Sequence, residues 1–320
     1  MAAAKHGVVT APLLAELQSH AASLGFLACG VAGLEPSRHA EALDRWLAAG
    51  YAGTMRYLHR QAAKRKTPAG IVPNARVAVV VLENYLPRLH PAPARPSVKL
   101  ARYARGADYH RAFRQRLEQL AEWLRANGAA LAVAYTDAGP VPERELAQRA
   151  GLGWIGKNTM LIRPESGSFF FIGAVFTDLA LPPGDALEPD RCGSCTRCLD
   201  ACPTQALVAP RVLDATRCIS YHTIESRLPI PDAIAAKLDG WAFGCDICNE
   251  VCPWNVRFAR PSLREEYQER HTARVADPEY FARLSESEFA DRFGDTPLER
   301  PGLAGMRRNW VAAFKSLEPA

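Results

Sequence analysis

The sequence lacks any long hydrophobic run. None of its stretches approaches the roughly 18 consecutive apolar residues that suggest a membrane span, although the chain has 320 residues. Its first residues, MAAAKHGVVTAPLL, do not follow the pattern of a secretory or twin-arginine leader. We therefore expect a cytoplasmic protein that makes no contact with a membrane.

A strong excess of one charge is also missing, because 39 basic and 34 acidic residues give a net charge of only +5. Global charge therefore supports a nucleic-acid partner only weakly, and any such role must depend on where the positive residues lie. The charged and apolar fractions are those of an ordinary globular chain, which excludes extensive disorder.

Short apolar strands alternate with amphipathic helices over roughly the first 180 residues. The clearest strands are RVAVVVLENY, which begins at Arg76, and SFFFIGAVFTDL, which begins at Ser168. A helix is predicted from Asp108 to a stop signal at Asn127 and Gly128. This alternation predicts an α/β layer architecture.

Beyond the turn-rich stretch LPPGDALEPD the sequence becomes rich in cysteine and then again helical, with a capping box predicted at Ser285 and Glu288. We therefore predict three regions. They are an α/β domain over residues 1–182, a ferredoxin-like domain over 183–257 and a short helical C-terminal region over 258–320.

The chain has nine cysteines, and clustered cysteines in a cytosolic protein of this size more often bind metal than form disulfides. Cys29 stands alone in LGFLACGVAGL, which is typical of a small core residue. The first cysteine motif has the spacing C-x2-C-x2-C-x3-C-P and consists of Cys192, Cys195, Cys198 and Cys202. The second repeats it with a displaced first member and consists of Cys218, Cys245, Cys248 and Cys252.

This spacing is the bacterial ferredoxin pattern, in which the fourth cysteine of each motif ligates the other [4Fe–4S] cluster. The crossed arrangement assigns the first cluster to Cys192, Cys195, Cys198 and Cys252. It assigns the second cluster to Cys202, Cys218, Cys245 and Cys248. A zinc protein is the alternative, but zinc sites use paired C-x2-C knuckles that each close their own site, which this run fits poorly.

Two stretches of the N-terminal half are unusual. The segment KLARYARGADYH concentrates Arg105 with other basic and aromatic residues just before a helix. The segment TDAGPV places Asp137 at the end of a predicted strand, where residues of α/β folds often face ligands. On spacing alone, Asp137 could equally be a turn or helix-capping aspartate.

Taken together, five segments resemble those of epoxyqueuosine reductases, which are cobalamin-dependent iron–sulfur enzymes that complete queuosine synthesis on tRNA. The segments are YARGADYH, ERELAQRAGLGWIGKNTMLI, CGSCTRCLDACPTQAL, RCISYHTIE and GCDICNEVCPWN, and the resemblance extends from about residue 10 to residue 315. The family is related to reductive dehalogenases. The resemblance implies an α/β cobalamin-binding domain beside a two-cluster domain, with Asp137 as the catalytic aspartate.

The resemblance also implies cofactor and tRNA contacts. The cobalamin contacts would be Lys66, Ala101, Asp137, Asn158, Leu161, Ile172, Ser220 and Asp246. Glu225 falls where the family meets its tRNA, and Arg105 is one of ten basic residues expected to line the approach, with Arg56, Arg60, Lys64, Arg65, Lys66, Arg111, Arg114, Arg307 and Arg308. Some family members have a cysteine where this chain has Ala101, so a thiol at the cobalt face is not required here.

Converting an epoxide into an alkene takes two electrons, two protons and the loss of water, and no side chain supplies low-potential electrons. We expect the clusters to relay electrons to cobalamin from an external low-potential donor. Asp137, as a buried acid with a raised pKa, would supply a proton. The tRNA would carry a queuosine-type wobble base, and the enzyme would be a monomer. The alternatives are a corrinoid iron–sulfur reductase of a small molecule and a non-catalytic electron carrier.

Overall fold

The computed structural model describes residues 11–88, 97–184, 186–270 and 277–318. In chain order its strands are β1 (Ala28–Gly33), β2 (Val77–Asn84), β3 (Lys99–Leu100), β4 (Ala132–Thr136), β5 (Trp154–Ile155), β6 (Leu161–Ile162), β7 (Phe170–Thr177), β8 (Leu207–Ala209), β9 (Val212–Leu213) and β10 (Trp241–Phe243). Its α-helices are α1 (Ala11–Ser23), α2 (Ala40–Ala48), α3 (Arg56–Arg60), α4 (Ala62–Lys66), α5 (Tyr109–Ala126), α6 (Glu143–Arg149), α7 (Arg197–Asp200), α8 (Asp232–Ala235), α9 (Ile247–Glu250), α10 (Pro253–Phe258), α11 (Glu286–Phe293) and α12 (Gly302–Lys315).

The N-terminal half is built on a four-stranded sheet with the order β1-β2-β7-β4. Neighbouring strands are antiparallel throughout, and Val79 of β2 lies opposite both Val31 of β1 and Val175 of β7. The predicted alternation of helices and strands is confirmed, but it does not produce a parallel sheet. The rule that ligands collect at the carboxyl ends of parallel strands therefore does not apply to Asp137, which follows the edge strand β4.

Helices cover both faces of this sheet. On one face Phe113 and Leu117 of α5 share a core with Val79, together with residues of α1. On the other face Leu146 of α6 packs with Val80 and its neighbours. Because β2 is buried on both sides, its sequence is almost continuously apolar rather than alternating.

Helix α5 has the limits that the sequence predicts. The Asp108 side chain caps its first turn by accepting a hydrogen bond of 3.0 Å from the backbone amide of His110. The helix ends before Gly128, whose φ of +100° favours glycine. This start places Tyr109 and His110 in the first turn, beside the loop that carries Asp137.

The cysteine-rich and C-terminal parts pack onto the N-terminal half. Strand β10 pairs in parallel with β3, and Phe243 shares a core with Met306 and Trp310 of α12. The predicted capping box of Ser285 and Glu288 is present at the start of α11. The three predicted regions thus share packing contacts, and their boundaries at residues 182 and 257 stay predictions.

Within the described ranges, no helix combines the length and the apolar character needed to cross a membrane.

Candidate active site and cluster ligands

All nine cysteines are free thiols, and eight of them fall into two groups. Burial raises the pKa of Cys198, and the nearby thiols of Cys192, Cys252 and Cys195 raise it further. We call these four residues the first cysteine group. It combines three cysteines of one motif with the last cysteine of the other.

The remaining four thiols form the second cysteine group. Burial raises the pKa of Cys248 well above its ordinary value, and Cys245, Cys218 and Cys202 add to the effect. The membership of both groups is the crossed pattern expected from the ferredoxin spacing.

Each group offers hydrogen-bond donors to sulfur, which bound iron–sulfur clusters use to stabilise thiolate ligands. The Ala206 amide donates to Cys202 Sγ at 3.2 Å, and the Trp154 indole donates to Cys192 Sγ at 3.5 Å. The amides of Ser220 and Tyr221 donate to Cys218 and lower its pKa against the larger effect of burial. A buried thiol stays neutral unless a bound metal replaces its proton. Because both groups also offer hydrogen-bond donors to the thiolates that would then form, the two groups fit iron–sulfur clusters.

The two groups differ in exposure. In the loop of the first group, every residue between Cys192 and Cys198 that is not a cysteine is exposed. The second group lies beside buried residues, among them Gly244, Asp246 and Asn249. The first group is therefore the one that faces solvent.

A row of aromatic rings leads from the second cysteine group to Asp137. Tyr85 lies near Cys248. Burial is the main cause of the raised pKa of Tyr85, and the Cys248 thiol is one of the smaller causes. The rings of Tyr85 and Tyr103 are 6.4 Å apart, and those of Tyr103 and Tyr109 are 6.1 Å apart. The Tyr109 hydroxyl donates a short hydrogen bond to the Asp137 carboxylate.

Asp137 is held in place but is not buried. Its φ of +45° is a strained conformation for a residue other than glycine, and 64% of its side chain is exposed. His110 Nε2 lies 3.8 Å from its carboxylate. The expectation of a buried catalytic acid was therefore wrong, because the loop directs this carboxylate into open space.

A second acid of this loop is Glu143, at the start of α6. Its Oε1 accepts a hydrogen bond of 2.6 Å from the backbone amide of Asp137. Burial, followed by the negative charge of Asp137, raises the pKa of Glu143 to about 8. Arg65 holds the same loop by donating to the carbonyl oxygens of Gly139 at 3.0 Å and Val141 at 3.2 Å.

Four of the residues predicted to contact cobalamin border the second cysteine group. The Ser220 side chain bonds to the Cys218 thiol, and Asn158 Nδ2 lies 3.4 Å from the carbonyl oxygen of Cys248. Ala101 and Asp246 adjoin each other, since Asp246 accepts a hydrogen bond of 2.7 Å from the amide of Arg102.

The other predicted cobalamin contacts, apart from Asp137, have mainly structural surroundings. Leu161 is buried in the sheet core, and Ile172 of β7 packs against that core. Lys66, at the end of α4, forms an ion pair of 2.9 Å with Asp44.

The two residues predicted to contact tRNA form hydrogen bonds with other residues of the protein. Glu225, on a π-helical turn over Tyr221–Glu225, accepts a hydrogen bond of 2.9 Å from Arg300. Arg105 donates to the Leu100 carbonyl oxygen at 3.0 Å, and only 20% of its side chain is exposed.

The ten basic residues expected to line an RNA approach divide into two sets. Arg65, Lys66, Arg105, Arg307 and Arg308 bind partners within the protein, and Arg308 alone donates to the carbonyl oxygens of His222, Ser226 and Leu228. The more accessible set consists of Arg56, Arg60, Lys64, Arg111 and Arg114.

Comparison with known proteins gives this site its context. Residues 191–255 match the family model of a 4Fe-4S double cluster binding domain, and residues 65–138 match the model described as Epoxyqueuosine reductase QueG, DUF1730. The epoxyqueuosine reductase of Pseudomonas aeruginosa is 43% identical over 291 residues, which cover 89% of this chain and 80% of the relative. The chain belongs to the epoxyqueuosine reductase family. It is therefore an oxidoreductase of queuosine biosynthesis, and its double-cluster domain is confirmed.

Other epoxyqueuosine reductases agree over nearly the whole chain. That of Gloeobacter violaceus is 42% identical over 95% of this chain and 96% of the relative. A crystal structure of an epoxyqueuosine reductase with an epoxyqueuosine-modified tRNA-Tyr stem loop aligns with a TM-score of 0.85, at 30% identity over 96% of this chain and 82% of that one. A Bacillus subtilis structure, with a TM-score of 0.83 and 30% identity over the same shares, is described with its catalytic aspartate loop swung out of the active site.

The sequence prediction missed several residues around Asp137. Tyr109 and His110 belong to the YARGADYH segment that we noted, but we gave them no role. Glu143 opens the segment ERELAQ, where a glutamate in the first turn of a helix is ordinary. Only the fold shows that its carboxyl group meets the amide of Asp137.

Proposed function

We propose that this chain reduces epoxyqueuosine to queuosine in tRNA, with electrons passing through two [4Fe–4S] clusters to cobalamin and with Asp137 as the proton donor. One observation carries the proposal. The exposed Asp137 carboxylate lies at the end of the aromatic row that begins at the second cysteine group, so a reducing centre and a proton source border the same space. The tRNA-bound relative supports the choice of substrate.

The cysteine groups would hold the clusters in the crossed arrangement. Cys192, Cys195, Cys198 and Cys252 would bind the first cluster, and Cys202, Cys218, Cys245 and Cys248 would bind the second. Because the first group is the exposed one, electrons from an external low-potential donor would enter there and leave from the second group. The direction of transfer follows from the burial of the two groups.

Cobalamin would lie between the second cysteine group and Asp137. Ala101, Asn158, Ser220 and Asp246 surround that group and could hold the cofactor, whereas Lys66 is occupied by Asp44. When bound, cobalamin supplies low-potential reduction at cobalt, which no side chain can provide.

The chain itself would supply acid catalysis. As the C–O bond of the epoxide breaks, the oxygen needs a proton, and Asp137 is positioned to deliver it. The Tyr109 hydroxyl orients the carboxylate, and Glu143 fixes the backbone of the loop. Both protons go to the single epoxide oxygen, whose two C–O bonds break, so that two electrons and two protons release it as water and leave the alkene.

The modified base would enter beside Glu225. Burial raises the pKa of Tyr57, and the charges of Glu225, Arg300 and Asp137 act on it in opposing directions, which supports a space shared by these groups. A base from an anticodon loop would have to be unstacked to reach it. We propose Glu225 as a contact to the base, and we assign Arg105 to the support of its own loop because its hydrogen bonds point inward.

The experiment is an anaerobic preparation reconstituted with iron, sulfide and cobalamin, reduced with dithionite and supplied with tRNA carrying epoxyqueuosine. Mass spectrometry of the digested nucleosides should show queuosine. Omission of cobalamin should abolish the product while leaving the cluster absorbance unchanged. Product formation without cobalamin, or none with the complete mixture, would refute the proposal.

A further inference from the structure

The surface beside the first cysteine group combines positive charge with exposed apolar side chains. Its members are Arg197, Pro253, Val256, Arg257 and Arg260, which we name the donor face. We propose that the donor face docks a small acidic one-electron carrier protein that reduces the first cluster. This inference rests on the proposed function, which requires an external donor of low potential.

Both segments of the donor face border the first cysteine group. Arg197 directly precedes Cys198, and α10 directly follows Cys252, whose thiol lies near that of Cys198. A partner seated on these segments would therefore contact the loop whose cysteines are nearest to solvent. Such a position would bring the partner's redox centre close to the first cluster, as electron transfer between proteins requires.

Helix α10 turns its aromatic side chains inward and its apolar Val256 outward. Trp254 packs edge-on against Trp154 at 5.0 Å and stacks on Phe258 at 5.4 Å. Val256 lies on the opposite side of this helix and is 71% exposed. Exposed arginines, which are enriched at protein–protein interfaces, lie on the same two segments as Val256, and this combination fits a protein-binding surface.

The charge of the donor face is not neutralised locally. Among the residues that the structure describes, no carboxylate pairs with any of its three arginines. Arg257 lies over the ring of Phe258 at 5.1 Å, and Arg260 donates to the backbone carbonyl oxygens of Arg257 and Ala259.

The nearby acidic residues have partners of their own. Asp190 pairs with Arg211, Glu250 pairs with Arg102 at 2.6 Å, and Glu265 pairs with Arg88 at 2.5 Å. Asp200 accepts a hydrogen bond of 2.7 Å from Thr196 and is the remaining negative charge near Arg197. The donor face is therefore positive overall and complementary to an acidic partner.

An acidic protein suits this surface better than RNA does. The proposed base-binding space lies beside Asp137 and Glu225, which the aromatic row connects to the second cysteine group rather than to the first. RNA recognition would also use stacking or phosphate contacts, to which an exposed valine contributes little. Competition between the carrier and tRNA is the measurement that separates the two partners.

Binding can be measured without electron transfer. The probe is a plant-type [2Fe–2S] ferredoxin in which gallium replaces iron, titrated by calorimetry against the cluster-loaded protein. We expect the double variant Arg257→Glu/Arg260→Glu to bind about tenfold more weakly at low salt, because rim charges of opposite sign become like charges. The double variant Arg38→Glu/Arg45→Glu makes the same charge change at two exposed arginines of the N-terminal half and should bind as the wild type does.

The rate of cluster reduction supplies a second readout. The reduced, iron-containing ferredoxin should bleach the clusters of Arg197→Glu and of the double variant about tenfold more slowly than those of the wild type. Dithionite, which needs no docking, should reduce all the proteins at one rate. High salt should remove the difference between the proteins, because it screens exposed charges.

Three results would overturn the proposal: unchanged ferredoxin binding by Arg257→Glu/Arg260→Glu, an equal slowing of cluster reduction by dithionite in the donor-face variants, or displacement of the ferredoxin by tRNA. Neither readout uses cobalamin or turnover. A failure of the donor face would therefore leave the proposed reaction untouched, and a failure of the reaction would leave these measurements valid.

Discussion

The backbone amide of Asp137 donates a hydrogen bond of 2.6 Å to Oε1 of Glu143. This bond ties the loop after β4 to the first turn of α6, and it spans a turn that contains Pro140 and Pro142. Since the pKa of Glu143 is about 8, its carboxyl group is neutral near pH 7. A neutral Glu143 adds no negative charge beside the proposed proton donor Asp137.

Glu143 should set an alkaline limit to activity. Its pKa is raised from the ordinary value of about 4.3, so the group is protonated below about pH 8 and ionises above it. Ionisation places a negative charge beside Asp137, and proton donation by Asp137 would then create a second one next to it, so we expect kcat/KM to fall as the pH rises through about 8. Glu143→Gln stays neutral and keeps the acceptor oxygen, so this fall should disappear.

The same shift has a consequence for stability. The folded protein retains the Glu143 proton where the unfolded chain has lost it, so this group's contribution is complete below the ordinary pKa and is lost as the pH rises through about 8. Urea unfolding of Glu143→Gln should show a weaker decline with pH over this range. If the wild type and Glu143→Gln had the same pH profiles of activity and stability, Glu143 would not be the titrating group.

Asp137→Asn should abolish turnover without disturbing the cofactors. Loss of a general acid typically costs about a hundredfold or more in rate, and asparagine retains the shape of the side chain. Single-turnover formation of queuosine from tRNA measures the effect. Cluster absorbance and cobalamin binding serve as controls for folding.

Tyr109→Phe provides a graded comparison, because it removes only the hydroxyl that donates to Asp137. We expect a smaller loss than for Asp137→Asn. Near-normal turnover of the asparagine variant would exclude Asp137 as the proton donor.

Cys248→Ala tests the ligand assignment. Removal of one thiolate from the second cysteine group should cost that cluster, and with it about half of the bound iron. Cys29→Ala is the matched control, because Cys29 lies on β1, where burial raises its pKa to about 12 and keeps the thiol neutral. Equal iron contents in the two variants would contradict the assignment.

The cluster site was more predictable from the sequence than the active site. The cysteines lie in short, tightly spaced motifs whose chemistry admits few arrangements, so spacing alone predicts the crossed groups. The direction of the strands is not encoded in this way, because an apolar run such as VAVVVL fits a parallel or an antiparallel sheet buried on both faces.

Individual polar side chains were harder to place. Whether Lys66 reaches a cofactor or Asp44, and whether Arg308 meets RNA or backbone carbonyl oxygens, depends on contacts between segments far apart in the chain. The exposure of Asp137 has the same origin, since the φ of +45° that directs it outward is maintained by Glu143 and Tyr109.

A buried ionic network joins the central sheet to the C-terminal region. Glu83 of β2 is 1% exposed, and its carboxylate accepts hydrogen bonds from Arg116 of α5 and from the Tyr267 hydroxyl. Arg116 also pairs with Glu266 at 2.9 Å. The network is satisfied only when the segment around residue 267 is docked on the sheet.

Arg116→Met should therefore destabilise the protein strongly. It leaves the Glu83 carboxylate buried without its cation, which typically costs about 3–5 kcal/mol, whereas loss of the exposed pair between Arg114 and Glu118 in Arg114→Met should cost less than about 1 kcal/mol. Urea unfolding of the anaerobic, cluster-loaded proteins measures both free energies. Because the docked segment depends on the same carboxylate, Arg116→Met should also make the chain near Tyr267 sensitive to limited proteolysis before the sheet unfolds. An Arg116→Met protein as stable as Arg114→Met would show that the ionic network contributes little and that apolar packing holds the C-terminal region.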